Sequence, residues 1–204
     1  MATPTQIRAL PTATRLDDPM TPVGARLVET ASRLFYDHGI RAVGVELIAE
    51  EAGTTKKTLY DRFGSKEALV VLYLRRRAER WQGVVLGHLA EQQSTGTDRV
   101  LGVFDALDGW LAEQWRGCAF VNAYAEIGGT DHPAMPVVRA EKAWMRELFT
   151  ALVDQTGNDD PERLGAQLHL LYEGAIVALT SGSQEDALER ARDAAARLLT
   201  PGSP

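Results

Sequence analysis

Apolar residues recur three and four positions apart along most of this chain, and polar stretches rich in glycine or proline interrupt them. Val23, Leu27, Ala31, Leu34 and Phe35 share one face of a first helix, the spacing of an amphipathic α-helix. Thr21-Pro22 predicts its start, with a capping hydroxyl followed by a proline at the first helical position. Gly39 predicts its end. Val45, Ile48, Ala49 and Ala52 mark a short second helix that Gly53 stops. Thr54 and Thr55 can cap a third, to which Leu59 and Phe63 give a buried side. After Gly64-Ser65 a fourth helix begins at Lys66 and runs past Trp81 towards Ala90, with Gly83 and Gly87 weakening its far end.

The pattern continues without a change of period. Val100, Leu101, Phe104, Leu107, Trp110 and Leu111 predict a helix from Asp98 to Trp115, ended by Gly117. Cys118 to Ile127 reads as a shorter apolar helix carrying Asn122 and Glu126. His132-Pro133 and Pro136 open another that runs through Val137, Trp144, Leu148 and Leu152. Asp160-Pro161 caps and starts the next, built on Leu164, Leu168, Leu171, Tyr172 and Ile176. Ser183 with Asp186 predicts a capping-box variant for a last helix from Ala187 to Leu199. No segment alternates with period two, so the expected fold class is all-α.

Two short helices joined by a tight glycine-bearing turn make a helix-turn-helix, whose second helix can enter a DNA major groove. Here that helix would present Lys56, Lys57, Thr58, Tyr60 and Arg62, all hydrogen-bond donors suited to phosphates and base edges. The same spacing also serves a plain corner between two helices. Leu34, Phe35, Val45, Ile48, Leu59 and Phe63 would supply a small three-helix core.

Charge sharpens this reading. The chain as a whole carries −6, which argues against nucleic acid. Residues 23–82 hold 11 Lys/Arg and 8 Asp/Glu, a net of +3, whereas residues 83–204 hold 9 and 18, a net of −9. The phosphate-compatible surface therefore belongs to the first third. No apolar run approaches a membrane span, and the stretch before Pro22 lacks the apolar core of a signal peptide. The single cysteine, Cys118, excludes an intrachain disulfide and fits a reducing cytoplasm. His38, His88, His132 and His169 lack metal-ligand spacing, and no phosphate loop or nucleophile–base pairing can be read. No catalytic residue, metal or cofactor is expected, and the chain does not read as an enzyme.

Residues 26–69 resemble the N-terminal domain of the tetracycline-repressor-like (TetR) family of transcription regulators. The matching pieces are Ala31-x-x-Leu34-Phe35-x-x-x-Gly39, Val45-x-x-Ile48-Ala49-x-x-Ala52-Gly53 and Thr58-Leu59-Tyr60-x-x-Phe63-x-Ser65-Lys66-x-x-Leu69. Gly44 departs from the family's usual Ser or Thr; it can still cap the second helix but offers no hydroxyl to a phosphate. The resemblance implies that Thr54, Thr55, Lys56, Lys57 and Thr58 approach bases and sugar-phosphate, while Tyr60 and Lys66 hold the backbone on either side of the groove. Lys57 then suits guanine O6/N7 and Lys66 a phosphate, the alternative for Lys66 being a first-turn lysine left in solvent.

The implied organisation is a flexible tail over 1–20, a helix-turn-helix DNA-binding domain over 21–65 and a helical effector-binding and dimerisation domain over 66–204. Gly117-Cys118-x-Phe120-x-Asn122-Ala123-x-x-Glu126 and His132-Pro133 resemble a pattern found in one branch of the family, which identifies no ligand. Trp110, Phe120, Asn122, Tyr124 and Trp144 are effector-site candidates, since aromatic walls with a few polar groups suit small molecules; ordinary core is the other reading of each. Segments 164–180 and 184–199 are rich in small residues, which serve either tight packing within the chain or a helix-bundle interface. The family's habit favours a homodimer through these last two helices. The expected partners are thus a double-stranded DNA operator, a small-molecule effector and a second copy of the chain, with no membrane. The expected mechanism is a ligand-released repressor reading a palindrome, with the fourth helix as the physical link; an activator or a helical binding module are the alternatives.

Overall fold

The computed structural model describes residues 8–16, 20–112 and 114–200. Among these, all regular structure is helical: α1 (Pro22–His38), α2 (Val45–Glu51), α3 (Lys56–Phe63), α4 (Lys66–Glu91), α5 (Gly96–Leu111), α6 (Ala119–Ile127), α7 (Met135–Asp154), α8 (Pro161–Thr180) and α9 (Ala187–Leu199). No described helix is long and apolar enough to cross a membrane. The described residues divide into two compact units, one of 14–16, 20–80 and 118–141, the other of 8–13, 81–112, 114–117 and 142–200.

In the first unit α1, α2 and α3 pack on one another. Thr21 caps α1 through its side chain, which accepts the Gly24 N–H at 3.2 Å, and Pro22 follows at the first position. Leu27, Ala31, Leu34 and Phe35 of α1 bury against Val45, Ile48 and Leu59, with Phe63 partly buried beside them. Leu69, Val70, Tyr73 and Leu74 of α4 and Phe120, Ala123 and Ile127 of α6 complete this core. Burying the larger of these side chains contributes about 1.5–3 kcal/mol each, which holds the short helices α2 and α3 that propensity alone would not.

In the second unit α9 packs on α8 and α5. Asp160 caps α8, its carboxylate accepting the Arg163 N–H at 3.2 Å, with Pro161 next, as the spacing predicts. Trp81 meets Trp110 at 5.5 Å and Tyr172 at 6.4 Å, and Phe149 meets Phe104 and Tyr172.

Three expectations are corrected. Residues 8–16, assigned to a flexible tail, are held. The Arg8 N–H donates to Asp154 at 2.7 Å, its guanidinium pairs with Glu162 at 2.8 Å, and the Trp144 indole N–H donates to the Thr12 carbonyl at 2.9 Å. Leu16 donates its N–H to Glu79 at 3.1 Å. An extended segment needs partners for its backbone groups, and helix side chains supply them; residues 1–7 and 17–19 lie outside the described residues.

The helix α5 stops at Leu111, short of Trp115, which is exposed. The chain turns instead through Gly117, whose φ is +65° and whose Cβ would lie 2.4 Å from Thr180 Cγ2, so neither a left-handed backbone nor the space admits a side chain. Ser183 does not cap α9. Its hydroxyl donates to the Ala178 carbonyl at 3.1 Å, and Asp186 takes the cap position without a capping hydrogen bond, its carboxylate accepting from Arg190.

Candidate nucleic-acid interface

The turn between α2 and α3 is closed by its own backbone. Gly53 N–H donates to Glu50 and Thr54 N–H to Ala49, at 3.0 and 2.9 Å, with Gly53 at φ +62°. This pair of bonds past a left-handed residue is a Schellman stop. Thr55 then caps α3: its Oγ1 accepts the Thr58 N–H at 3.1 Å and lies 2.9 Å from the Thr58 hydroxyl. Both ends of the turn are thereby fixed, and with them the direction in which α3 leaves.

That direction is outward. Leu59 is fully buried, while Thr55, Lys56, Lys57 and Tyr60 are exposed, Lys57 at 84% and Tyr60 at 40%. Thr54 and Thr58 are half-buried at the edge of the same face. Gly44 caps α2 with no side-chain hydrogen bond. Arg62 turns away from this face and donates to Thr21 Oγ1 at 2.5 Å, tying the end of α3 to the start of α1.

The two exposed lysines carry acidic partners that sequence reasoning missed. Lys57 Nζ lies 2.6 Å from Asp61 Oδ2, and Lys56 pairs with Glu46 across the α2–α3 turn. The hydrogen bond from Lys56 holds the Glu46 carboxyl below its ordinary value, and Glu46 in turn raises the Lys56 ammonium. The four-residue step from Lys57 to Asp61 was a legible signal for one pair; nothing local marked the other. Lys66 is half-buried, its ammonium 6.0 Å from the centre of the Phe35 ring. Burial pushes its pKa down, against the raising effect of Glu67 and Glu126. It is therefore not a lysine left in solvent.

The five effector-site candidates have separate surroundings. Trp110 packs on Trp81, and the Trp144 indole N–H is taken by Thr12. In the other unit Phe120 is core, Asn122 is half-buried and Tyr124 is exposed at 59%. Phe120 is a packing residue here, and Tyr124 a surface residue whose ring lies against Gly128. Two clefts, of about 770 Å³ beside the end of α3 and 510 Å³ beside α9, are lined by none of the five. Among the described residues no group of three His, Cys, Asp or Glu could hold a metal ion.

An all-helical chain that fixes a short polar helix outward at both ends of its turn has the architecture of a helix-turn-helix DNA-binding regulator. Residues 27–72 match the family described as bacterial regulatory proteins, tetR family. SCO4454, a TetR-family transcriptional regulator from Streptomyces coelicolor, is 32% identical and superposes with a TM-score of 0.80, with 88% of this chain and 89% of that chain covered. The HTH-type transcriptional regulator Rv1255c of Mycobacterium tuberculosis is 25% identical over 184 residues, 87% of this chain and 86% of that protein. The HTH-type transcriptional repressor DhaR of Mycobacterium sp. (strain GP1) is 26% identical over 191 residues, 88% and 90% of the two. The chain belongs to the TetR family of transcriptional regulators. It is a DNA-binding regulator and not an enzyme.

Proposed function

We propose that this chain is a homodimeric repressor that binds a palindromic operator and leaves it when a small molecule occupies its helical body. Residues 21–65 form the DNA-binding domain and residues 66–204 the effector-binding and dimerising part. The observation that carries the reading is the disposition of α3, with Leu59 fully buried beneath an outward face of Thr55, Lys56, Lys57 and Tyr60. In this reading Lys57 reads a base edge, Thr54, Thr55, Lys56 and Thr58 meet bases and sugar-phosphate, and Tyr60 and Lys66 hold the backbone. The half-buried ammonium of Lys66 suits a phosphate, whose charge offsets the cost of its burial.

The second copy is supported by an apolar face left open on the last two helices. Leu170 and Val177 of α8 are 71% and 51% exposed, with Gly174 between them presenting bare backbone, and Leu198 of α9 is also exposed. A stripe of this kind on adjacent helices suits a four-helix bundle with its symmetry mate. Repression, rather than activation, is the role of the relative DhaR, which matches along most of this chain. A regulator that binds chromosomal DNA works in the cytoplasm, and that location is part of this reading. Release by ligand requires only that the effector prefer the dimer state whose reading helices miss the half-site spacing.

The test is retardation of the DNA upstream of the protein's own coding region, at graded salt, alongside a reporter read with and without the protein. A repressor gives sequence-selective, salt-sensitive retardation and a reporter that rises when the protein is removed. A reporter that falls on removal makes it an activator, and retardation indifferent to sequence contradicts the operator reading.

A further inference from the structure

Glu126 of α6 grips the connection between α1 and α2. Its Oε1 accepts the Ile40 backbone N–H at 3.0 Å and its Oε2 accepts the Arg41 backbone N–H at 2.7 Å. Gly39 lies against the same carboxylate. A Cβ there would stand 2.9 Å from Oε1 and 3.2 Å from Cδ, and φ is +93°, so space and backbone both exclude a side chain. The helix bearing Glu126 is itself anchored, because Phe120, Ala123 and Ile127 bury in the core that holds Leu34, Phe35, Ile48 and Leu59.

We propose that Glu126 is a positioning residue for DNA reading, its carboxylate setting where α2 begins and therefore the angle at which α3 is presented. The two amides it binds lie in the connection past the end of α1, where no helical carbonyl is placed to accept them and a side chain takes that part. Two N–H groups converging on one ionised carboxylate give short, directional bonds that fix the loop rather than merely cover it. Val45 opens α2 four residues beyond Arg41, so little chain intervenes to absorb a shift. From there the α2–α3 turn is closed by its own hydrogen bonds and transmits a change of angle as a rigid piece. Base readout needs its donors held to a fraction of an ångström, so a small rotation at this root is felt at Lys57. The role deepens the proposed function and rests on α3 being the reading helix.

The experiment uses the full chain with Glu126→Ala and Glu126→Gln, and a duplex that the wild-type protein selects from random DNA. Affinity for that duplex is measured beside the unfolding midpoint without DNA and the hydrogen exchange of the Ile40 and Arg41 amides. The alanine variant is expected to exchange faster at those two amides than in α2 and α3, and to bind about tenfold more weakly, the size of one lost charge-assisted bond. The glutamine variant keeps one acceptor oxygen and falls between. Faster exchange at Ile40 and Arg41 with unchanged affinity overturns the positioning role. So does an affinity loss that tracks only a smaller folded fraction in both variants. A wild-type chain that selects no sequence overturns the α3 reading and this inference with it, and differs from the other outcomes because the variants then play no part.

Discussion

Lys57 Nζ and Asp61 Oδ2 lie 2.6 Å apart, one helical turn along the exposed face of α3. The cation proposed to meet DNA is thus already engaged by a carboxylate on the same exposed face. Such an exposed pair adds little to folding. Its weight falls on DNA binding, because the carboxylate offsets the field that attracts any phosphate backbone. Asp61→Asn is expected to strengthen binding to unrelated duplex DNA and to steepen its dependence on salt by about one counterion. Titrations on the selected operator and on a scrambled duplex, each at several salt concentrations, measure both. Unchanged non-specific affinity would show that Asp61 does not restrain Lys57.

Lys57→Ala is expected to weaken operator binding by about 1–3 kcal/mol and to relax the preference at a single base pair. The measurement is affinity for a panel of operators mutated one position at a time. Equal weakening on every duplex would assign Lys57 to phosphate instead.

Thr55→Ala removes the hydroxyl that caps α3 and is expected to destabilise the protein by about 1 kcal/mol. Thr55→Ser, which keeps the oxygen that the Thr58 N–H needs, should recover most of the loss. Denaturant unfolding of the two variants reads the difference, and equal losses would remove the capping role.

Glu173 joins α8 to α7 through Lys142, whose Nζ lies 2.8 Å from both carboxylate oxygens, and His169 Nε2 is 3.3 Å away. Burial alone would raise this carboxyl. The His169 imidazole and the Lys142 ammonium outweigh it, and Glu173 titrates below its ordinary value. A carboxyl whose pKa is lower in the folded state stabilises fully above its unfolded value, about 4.3, and progressively less as pH falls through the folded one. Glu173→Gln should therefore cost about 2 kcal/mol at neutral pH and less under acid. Stability of both proteins from pH 7 downward tests this, and a cost independent of pH contradicts it.

Much of this was legible in local signals, because a cap or a stop lies within a few residues of what it governs. Thr21-Pro22, Gly53, Thr55 and Asp160-Pro161 sit where their side chains and φ values require. The outward set on α3 was legible for the same reason, since Leu59 fixes which side is buried. What local pattern could not carry was pairing between distant positions. The Glu126 grip spans 85 residues to Arg41, and Lys56 meets Glu46 only once α2 and α3 fold back on each other. Ser183 had the right spacing for a cap, yet the carbonyl of Ala178 was nearer to hand. Phe120 and Tyr124 looked alike as aromatics on one short helix, and only packing separated core from surface.

A dimer that holds a pair of α3 helices at a fixed separation is read out by the duplexes this chain selects from random DNA. The expected selection is an inverted repeat whose half-site centres stand one DNA turn apart, or a multiple of it. Leu170→Glu, which would split such a dimer, is expected to abolish that selection. An enriched sequence without two-fold symmetry, or the same enrichment from the Leu170→Glu monomer, contradicts the dimer reading.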